Sequence, residues 1–514
     1  MPFKILKFNL KNLRKCFSNE HVSSEFLDRN SRIDYLLGYL KELQCKTILV
    51  EEEYIEGGYL DDFSQYYVKC FRPYDRFCKR IHFFSNSFNK KQFDSLIEDK
   101  LSRQQEKRII SNYLGCIAAK PLPEALIGRT LLKTYPSENG RRNFPCVSNY
   151  TANIFGLGVT LKSLPFQEQD TVIAACATTA LWTAFQKCSQ LFGTESPTPA
   201  KITQYATSHF VTSRPIPSHG LNVYQICEAI REVNLEPEVF RVTPRTPLAS
   251  LMYAYMHSGV PIILGLDIER RGMHAVTLSG YSIEKSKVLQ KEVHPNYSGY
   301  NLKGLYISKF YAHDDQIGPF SRLKILSGET VERNSQSVEY PLRFLGSWKD
   351  DNGNQLLMDP VVVIIPVYHK IRVNFFEVVK WTRRIDNFFA SIGWAEPTGP
   401  LKIEWNVFLT TVNELKTELW QSRGNSSIYK NLLTESHPRF IWRIQSYYGK
   451  KPLFEIFADA TDMARSFFIY KVWFSNREFG KFIGSLMSIT NWRRAVESYL
   501  STKFLELLER DCVK

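Results

Sequence analysis

The chain has 514 residues, 66 of them basic and 52 acidic, which gives a formal net charge of +14. With 44% hydrophobic, 23% charged and 14% aromatic residues, it is not a disordered protein but a globular one of about two to four domains. The basic residues are interleaved with Glu and Asp throughout. This favours a solvated basic surface. Attraction to nucleic acid or anionic lipid is the alternative, and no motif supports it.

The ten cysteines occur singly, with no CxxC pair and no regular framework. Such spacing predicts free thiols, which indicates a reducing compartment. Residues 1–7 lack the apolar core of a signal peptide, and the longest strongly apolar run, 361–367, is too short to cross a bilayer. We therefore expect a cytoplasmic protein without a membrane span.

The first unit, residues 1–145, is predicted to be an α+β domain. Apolar residues recur at helical spacing from Ile33 to Leu43, and a stretch rich in Tyr, Phe and Arg, 59–84, is also predicted to be helical. Further along, the apolar run 113–120 predicts a strand. Nothing in this unit indicates its role.

In the second unit, residues 146–335, a buried helix is predicted to begin at or just after Cys176. Apolar residues follow at helical spacing, namely Ala177, Ala180, Leu181, Ala184 and Phe185. A helix N-terminus favours thiolate over thiol, which suits a nucleophile. Taken alone, a buried structural cysteine is the commoner interpretation. Upstream, Gln169 or Gln167 has an amide that can donate a hydrogen bond to an oxyanion.

His274 is predicted to begin a strand. Residues 260–268 form an apolar strand pattern, 269–273 a turn, and the returning strand runs from His274 to Tyr281. An imidazole there is held rigidly by its strand neighbours. A lone histidine in this setting is more often structural.

Two acids, Asp314 and Asp315, end the next predicted strand, which begins near Gly304. An acid at a strand end can reach a histidine on the neighbouring strand and hold its tautomer. By themselves the two acids are ordinary turn residues. Asp314 is preferred because it ends the strand directly, and Asp315 remains the alternative.

The third unit, residues 336–514, is predicted to be a mostly helical α+β domain. It opens with an apolar β pattern at 360–368. Helices are expected at 375–389, 405–420 and 492–508. No catalytic pattern occurs in it.

The order Gln, Cys at a helix start, His at a strand start, Asp at a strand end resembles the papain-like cysteine peptidase superfamily. The nearest resemblance is to the bacteriocin-processing peptidases of bacterial transporters, and it covers the middle third of the chain. The matching residues are Gln169 or Gln167, Cys176, His274-Ala-Val with Gly280-Tyr281, and Asp314.

The chain departs from this family pattern in three places. Cys176 is followed by Ala-Thr-Thr instead of the family's glycine, and the acid is doubled. A polar insertion at about 284–303 lengthens the gap between His274 and Asp314 and has the character of a lid or a substrate-selecting loop.

The resemblance implies an α+β chain in which a papain-like domain, with its cysteine-bearing helix packed on an antiparallel sheet, is flanked by two mixed α+β domains. It implies a peptidase or amidase acting on a protein or peptide without cofactor or metal. Cys176 would be the nucleophile, His274 the base and Asp314 its orienting acid, while Gln169 would assist the oxyanion. A deamidase, transglutaminase or acyltransferase, or a non-catalytic peptide-binding module, remains an alternative.

Overall fold

The computed structural model describes residues 3–123, 125–170, 175–209, 220–284, 301–333, 336–391, 403–422, 428–463 and 467–512. Across them the protein is a mixed α+β structure in which helices pack against antiparallel sheets. Among these residues, every helix is too short or too polar to cross a membrane.

The N-terminal part contains one five-stranded sheet, with neighbours in the order β1-β2-β3-β4-β5, and a separate β7–β8 hairpin. Its elements are β1 (Phe3–Lys7), α1 (Leu10–Phe17), α2 (Ser24–Asp28), α3 (Ser31–Glu42), β2 (Thr47–Tyr54), α4 (Gly57–Gln65), a 3₁₀ turn (Tyr67–Lys69), β3 (Cys78–Phe84), α5 (Lys90–Ile97), α6 (Arg103–Ser111), β4 (Tyr113–Ala119), β5 (Ile127–Leu132), β6 (Arg142–Asn143), β7 (Ser148–Ile154) and β8 (Leu157–Ser163).

The helix predicted at 59–84 was wrong in its second half, since α4 ends at Gln65 and the chain then forms β3. Strand β3 pairs with β2 and β4 in the middle of the sheet. Ile81 and Phe83 enter one hydrophobic core and Phe84 enters another. Burial on both faces gives a central strand an apolar run that local pattern cannot separate from a buried helix.

The middle part forms a closed sheet. Its elements are α7 (Cys176–Phe192), α8 (Pro199–Ala206), α9 (Val223–Glu232), β9 (Leu235–Arg241), α10 (Leu248–Met256), β10 (Ile262–Ile268), β11 (Gly272–Ile283), β12 (Asn301–Leu302), a 3₁₀ turn (Lys303–Tyr306), β13 (Ile307–Asp314), β14 (Gly318–Ser327), β15 (Thr330–Arg333), β16 (Gln336–Glu339), β17 (Leu342–Lys349) and β18 (Gln355–Tyr368). Strands β10-β11-β13-β14-β17-β18 pair in that order, and β18 pairs back with β10, which closes a six-stranded antiparallel barrel.

Helix α7 packs on the outside of this barrel. Leu181 and Phe185 of α7 share a core with Ile263, Ala275 and Ile364 of the barrel strands. The packing explains why almost every residue of α7 after Cys176 is buried up to Cys188. It also places the first turn of α7 beside β11, the strand that carries His274.

The barrel does not end at residue 335, where the sequence predicted a domain boundary, because β17 and β18 follow that position. At the earlier predicted boundary, the β7–β8 hairpin lies after residue 145 but packs against the N-terminal sheet. Both differences have one cause. Sheet pairing and core packing join segments across polar stretches that look like linkers in sequence.

The C-terminal part contains more sheet than the mostly helical pattern predicted. Its elements are α11 (Phe375–Ser391), β19 (Glu404–Thr411), α12 (Val412–Gln421), α13 (Ile428–Thr434), β20 (Phe440–Tyr448), β21 (Lys451–Asp459), β22 (Ile469–Trp473), α14 (Arg477–Met487), α15 (Thr490–Tyr499) and α16 (Thr502–Asp511). Its strands form a sheet in the order β19-β20-β21-β22, and β12 of the middle part joins this sheet beside β19. The helix predicted at 405–420 is β19 followed by α12, and the one predicted at 492–508 is broken between α15 and α16.

Candidate active site

The first residue of α7 is Cys176. The preceding residue, Ala175, takes an extended conformation and provides no side-chain cap to the first turn. Cys176 is half-buried, whereas seven of the ten cysteines are buried. A partly exposed thiol at an uncapped helix start lies in the positive field of the helix dipole.

The barrel brings His274 and Asp314 together. His274 lies near the start of β11, and Asp314 ends the neighbouring strand β13. The distance between His274 Nε2 and Asp314 Oδ1 is 3.0 Å. His274 also hydrogen-bonds with the side chain of Cys176.

The surroundings of His274 favour its protonated form. Burial by itself would lower the pKa of His274, but the charge of Asp314, hydrogen bonds with Asp314 and Cys176, and the charge of Asp315 outweigh it. The pKa of His274 therefore lies well above its ordinary value of 6.5. Burial would likewise raise the pKa of Asp314, yet the charge and hydrogen bond of His274 hold it below the ordinary range. The result is a buried ion pair.

The two neighbouring acids differ in their contacts. Asp314 is completely buried and accepts hydrogen bonds from the Gln316 backbone N–H at 3.0 Å and from Trp348 Nε1 at 2.8 Å. Asp315 Oδ1 lies 3.7 Å from His274 Nε2, beyond hydrogen-bond distance. Burial, together with the charge of Asp314, raises the pKa of Asp315 to about 6. Asp314 is therefore the acid that holds the histidine.

Trp348, in β17, was not identified from the sequence. Its indole N–H donates to Asp314 Oδ2, and its ring meets the imidazole of His274 edge-on with centroids 5.1 Å apart. The indole covers the ion pair while satisfying one of its oxygens. The tryptophan lies in Gly346-Ser-Trp-Lys, beyond the predicted boundary of the middle unit, and no local signal connected it with the histidine.

The two candidate glutamines lie just before α7. Gln167 is buried, and its Nε2 has no hydrogen-bond partner among the described residues. Gln169 is half-buried. A buried amide N–H without an acceptor is costly unless a ligand or water satisfies it. Of the two glutamines predicted as oxyanion donors, Gln167 is thus the one with a buried N–H that has no acceptor among the described residues.

His274, Asp314 and Asp315 also offer atoms that lie within 4.8 Å of one another, close enough to share a metal ion. However, both oxygens of Asp314 already accept hydrogen bonds, and one of them pairs with the histidine nitrogen that a metal would need. A metal at this point would have to break the His274–Asp314 bond. The donor set fits an ion pair better than a metal centre.

Comparisons with known proteins identify no family: neither a scan against protein-family models nor a search of curated proteins returned a match.

Most of the insertion predicted at about 284–303 lies outside the described residues, which stop at Glu284 and resume at Asn301. The chemical capacity of the site therefore follows from the geometry of Cys176, His274 and Asp314.

Proposed function

We propose that the protein is a cysteine hydrolase of the papain-like type, most simply a peptidase or amidase acting on a protein or peptide. One observation carries the proposal. His274 hydrogen-bonds with the fully buried carboxylate of Asp314, and a side-chain hydrogen bond with Cys176, a half-buried cysteine at a helix start, helps to raise the pKa of His274. Each member has the environment that its role requires.

The chemistry follows from these contacts. In the resting site His274 already holds the proton of Cys176 as an imidazolium, and the Cys176 thiolate attacks a carbonyl carbon. The Cys176 N–H and a Gln167 or Gln169 amide donate hydrogen bonds to the resulting oxyanion. His274 then protonates the leaving amine, the C–N bond breaks and an acyl-thioester remains. A water molecule, deprotonated by His274, releases the acid and restores Cys176.

Two further features support the papain-like relation. The helix that begins with Cys176 packs on an antiparallel barrel, and Cys, His and Asp occur in the order expected for this superfamily. All ten cysteines are free thiols, which suits a reducing cytoplasmic compartment. Deamidation and acyl transfer would use the same residues. They differ from hydrolysis of a peptide in the leaving group and in the second nucleophile.

Alkylation with iodoacetamide near neutral pH, followed by peptide mapping, tests the nucleophile. We expect Cys176 to react far faster than Cys70 and Cys512, which are also half-buried but have no histidine contact among the described residues. His274→Ala should remove this preference. Slow, uniform labelling of all three thiols in the wild type would overturn the proposal.

The reaction class needs a second experiment. Incubation of a proteome with the wild type, with Cys176→Ala as the matched control, should create new protein N-termini only in the wild-type sample. New glutamate or aspartate residues without new termini would identify a deamidase instead. Neither product, with a reactive Cys176, would indicate transfer to an acceptor missing from the mixture.

A further inference from the structure

Helix α3 of the N-terminal part packs against the turn that follows the catalytic acid. Tyr35 Oη donates to the carbonyl oxygen of Pro319 at 2.8 Å. Gly318 has a φ of +151°, and a Cβ atom there would lie 2.4 Å from the Tyr35 ring. A glycine is therefore required where α3 meets the β13–β14 turn. This close contact makes α3 a neighbour of Asp314 and Asp315.

Arg32, in the first turn of α3, extends its guanidinium between two side chains from elsewhere in the chain. Its Nη2 donates to Gln316 Oε1 at 2.7 Å, and its Nη1 forms an ion pair with Glu168. Glu168 is buried and also accepts a hydrogen bond from the Ile127 backbone N–H at 2.9 Å. Contacts with Gln316 and Glu168 thus hold the guanidinium of Arg32 in place.

Gln316 connects Arg32 with Asp314 and Asp315 through hydrogen bonds. Its backbone N–H donates to Asp314 Oδ1 at 3.0 Å, and its Nε2 donates to Asp315 Oδ2 at 3.3 Å. An amide has one oxygen and one nitrogen end. Because Arg32 occupies the oxygen, the NH₂ group must face Asp315. Without Arg32, either end of the amide is free to turn toward the carboxylates.

We propose that Arg32 is a positioning residue for the catalytic acid. Through Gln316 it holds the turn that carries Asp314 and Asp315, so that a helix of the N-terminal part completes the active site. The inference rests on the proposed cysteine hydrolase function and extends it: the cysteine, the histidine and the acid need support from outside the barrel.

The charges around this turn set the direction of the expected effect. The acids facing it are Asp314, Asp315 and Glu168, and the positive groups are His274, Arg32 and, near Glu168, Lys120. Arg32 lowers the pKa of Asp315 against the larger effect of burial. With Arg32 neutralised, Asp315 binds a proton more readily, and His274 loses part of the negative charge that stabilises its imidazolium. The basic limb of Cys176 reactivity should then move to lower pH.

The test is the pH profile of Cys176 alkylation by iodoacetate, an anionic reagent whose rate depends on the positive charge of the His274 imidazolium, in Arg32→Met, Gln316→Met and the double variant. We expect each single variant to react about tenfold more slowly, the size of one lost hydrogen bond to a charged group. The double variant should be no slower than either single one, because both changes break the same chain of contacts. In Arg32→Met the basic limb should move to lower pH.

Glu42→Gln is the matched control. Glu42 pairs with Arg322 and so also joins α3 to β14, but both side chains are substantially exposed and neither contacts the acids. This variant should keep the wild-type rate and pH profile. A melting temperature measured for every variant reveals loss of folding, and Gln316→Met tests the same chain of contacts if Arg32→Met does not fold.

Three results overturn the inference, and the first two are distinguishable from the third. If wild-type Cys176 reacts selectively and Arg32→Met and Gln316→Met match it in rate and pH profile, Arg32 has no positioning role and the proposed function stands. The same holds if the effects of the two substitutions add. If wild-type Cys176 shows no selective reaction, the proposed function fails and this inference fails with it.

Discussion

The protein contains two clusters of cysteine, histidine and carboxylate, and they differ in almost every property that matters for catalysis. In the N-terminal sheet, His82 Nε2 lies 2.6 Å from Glu51 Oε1, its Nδ1 lies 3.0 Å from Tyr113 Oη, and Tyr113 hydrogen-bonds with Cys116. Against the barrel, His274 connects Asp314 directly with Cys176. The same residue types thus appear twice.

The difference lies in exposure and in competing charges. His82 is completely buried, and burial, with Arg80 nearby, lowers its pKa although Glu51 acts in the opposite direction. Cys116 lies in the middle of a buried strand, and burial raises its pKa. His274, by contrast, has a raised pKa, and Cys176 is half-exposed at a helix start. The two clusters therefore share their residue types, and the raised pKa of His274 and the partial exposure of Cys176 distinguish them.

Removing each histidine in turn tests whether the two clusters differ in their effect on cysteine reactivity. His274→Ala should slow Cys176 alkylation and any catalytic turnover by about 10²–10⁴-fold, the usual contribution of a general base. His82→Ala should leave the reactivity of folded protein unchanged but lower the free energy of unfolding by about 2–4 kcal/mol, since Glu51 and Tyr113 lose a buried partner. Alkylation rates and urea unfolding measure the two effects. A large loss of reactivity in His82→Ala would make the two clusters equivalent.

The amide of Gln167, whose Nε2 has no partner among the described residues, is a second difference, because an oxyanion donor must have no resident acceptor. Gln167→Leu should lower kcat by about 10²-fold if this amide stabilises the oxyanion. Gln169→Leu is the control of equal size and should have a smaller effect. Steady-state kinetics on a substrate identified from new N-termini decides between them. A larger loss in Gln169→Leu would restore the original preference for Gln169.

Substitution of each acid tests which of the two carboxylates stabilises the imidazolium of His274. Asp314→Asn should reduce reactivity by about tenfold to a hundredfold, because the imidazolium loses its paired charge. Asp315→Asn should cost less, as Asp315 lies 3.7 Å from the ring nitrogen. An equal or larger loss in Asp315→Asn would reverse the roles of the two acids.

The same pair predicts how stability depends on pH. His274 has a raised pKa, so its contribution is complete below its ordinary value of 6.5 and is lost as pH rises through the folded value. Asp314 has a lowered pKa, so its contribution is present above its ordinary value of 3.8 and is lost as pH falls through the folded value. The stability difference between wild type and Asp314→Asn should therefore be largest between pH 3.8 and 6.5. Urea unfolding across this range measures it, and a constant difference would contradict the ion pair.

The smallest effect is expected for the tryptophan that covers the ion pair. Trp348→Phe keeps an aromatic ring beside His274 but removes the hydrogen bond to Asp314. We expect a loss of about tenfold or less in reactivity, in line with about 1.5 kcal/mol for one hydrogen bond to a charged group. Trp420→Phe, a half-exposed tryptophan of α12, is the control. A loss as large as that of Asp314→Asn would mean that Trp348 also shapes the substrate site.

Much of the local structure around the site was predictable. The helix after Cys176, the strand from His274 and the strand ending at Asp314 occur where their periodicity indicated. Helix α7 is buried on all sides from Ala177 to Cys188, and its apolar residues still recur at helical spacing. Predictions failed at β3 and β19, where the local apolar pattern was read as helical although each segment pairs with other strands of a sheet.

The order of the candidate residues, and the kind of element that bears each one, were predictable from the sequence because those properties depend on neighbours within a few positions. Three features depend instead on distant contacts: Asp314, and not Asp315, hydrogen-bonds with His274, Trp348 covers the pair, and Arg32 supports the turn that carries the two acids. Arg32 and Gln316 are 284 positions apart. Contacts over such separations depend on strand register and barrel closure, which no local pattern of residues encodes.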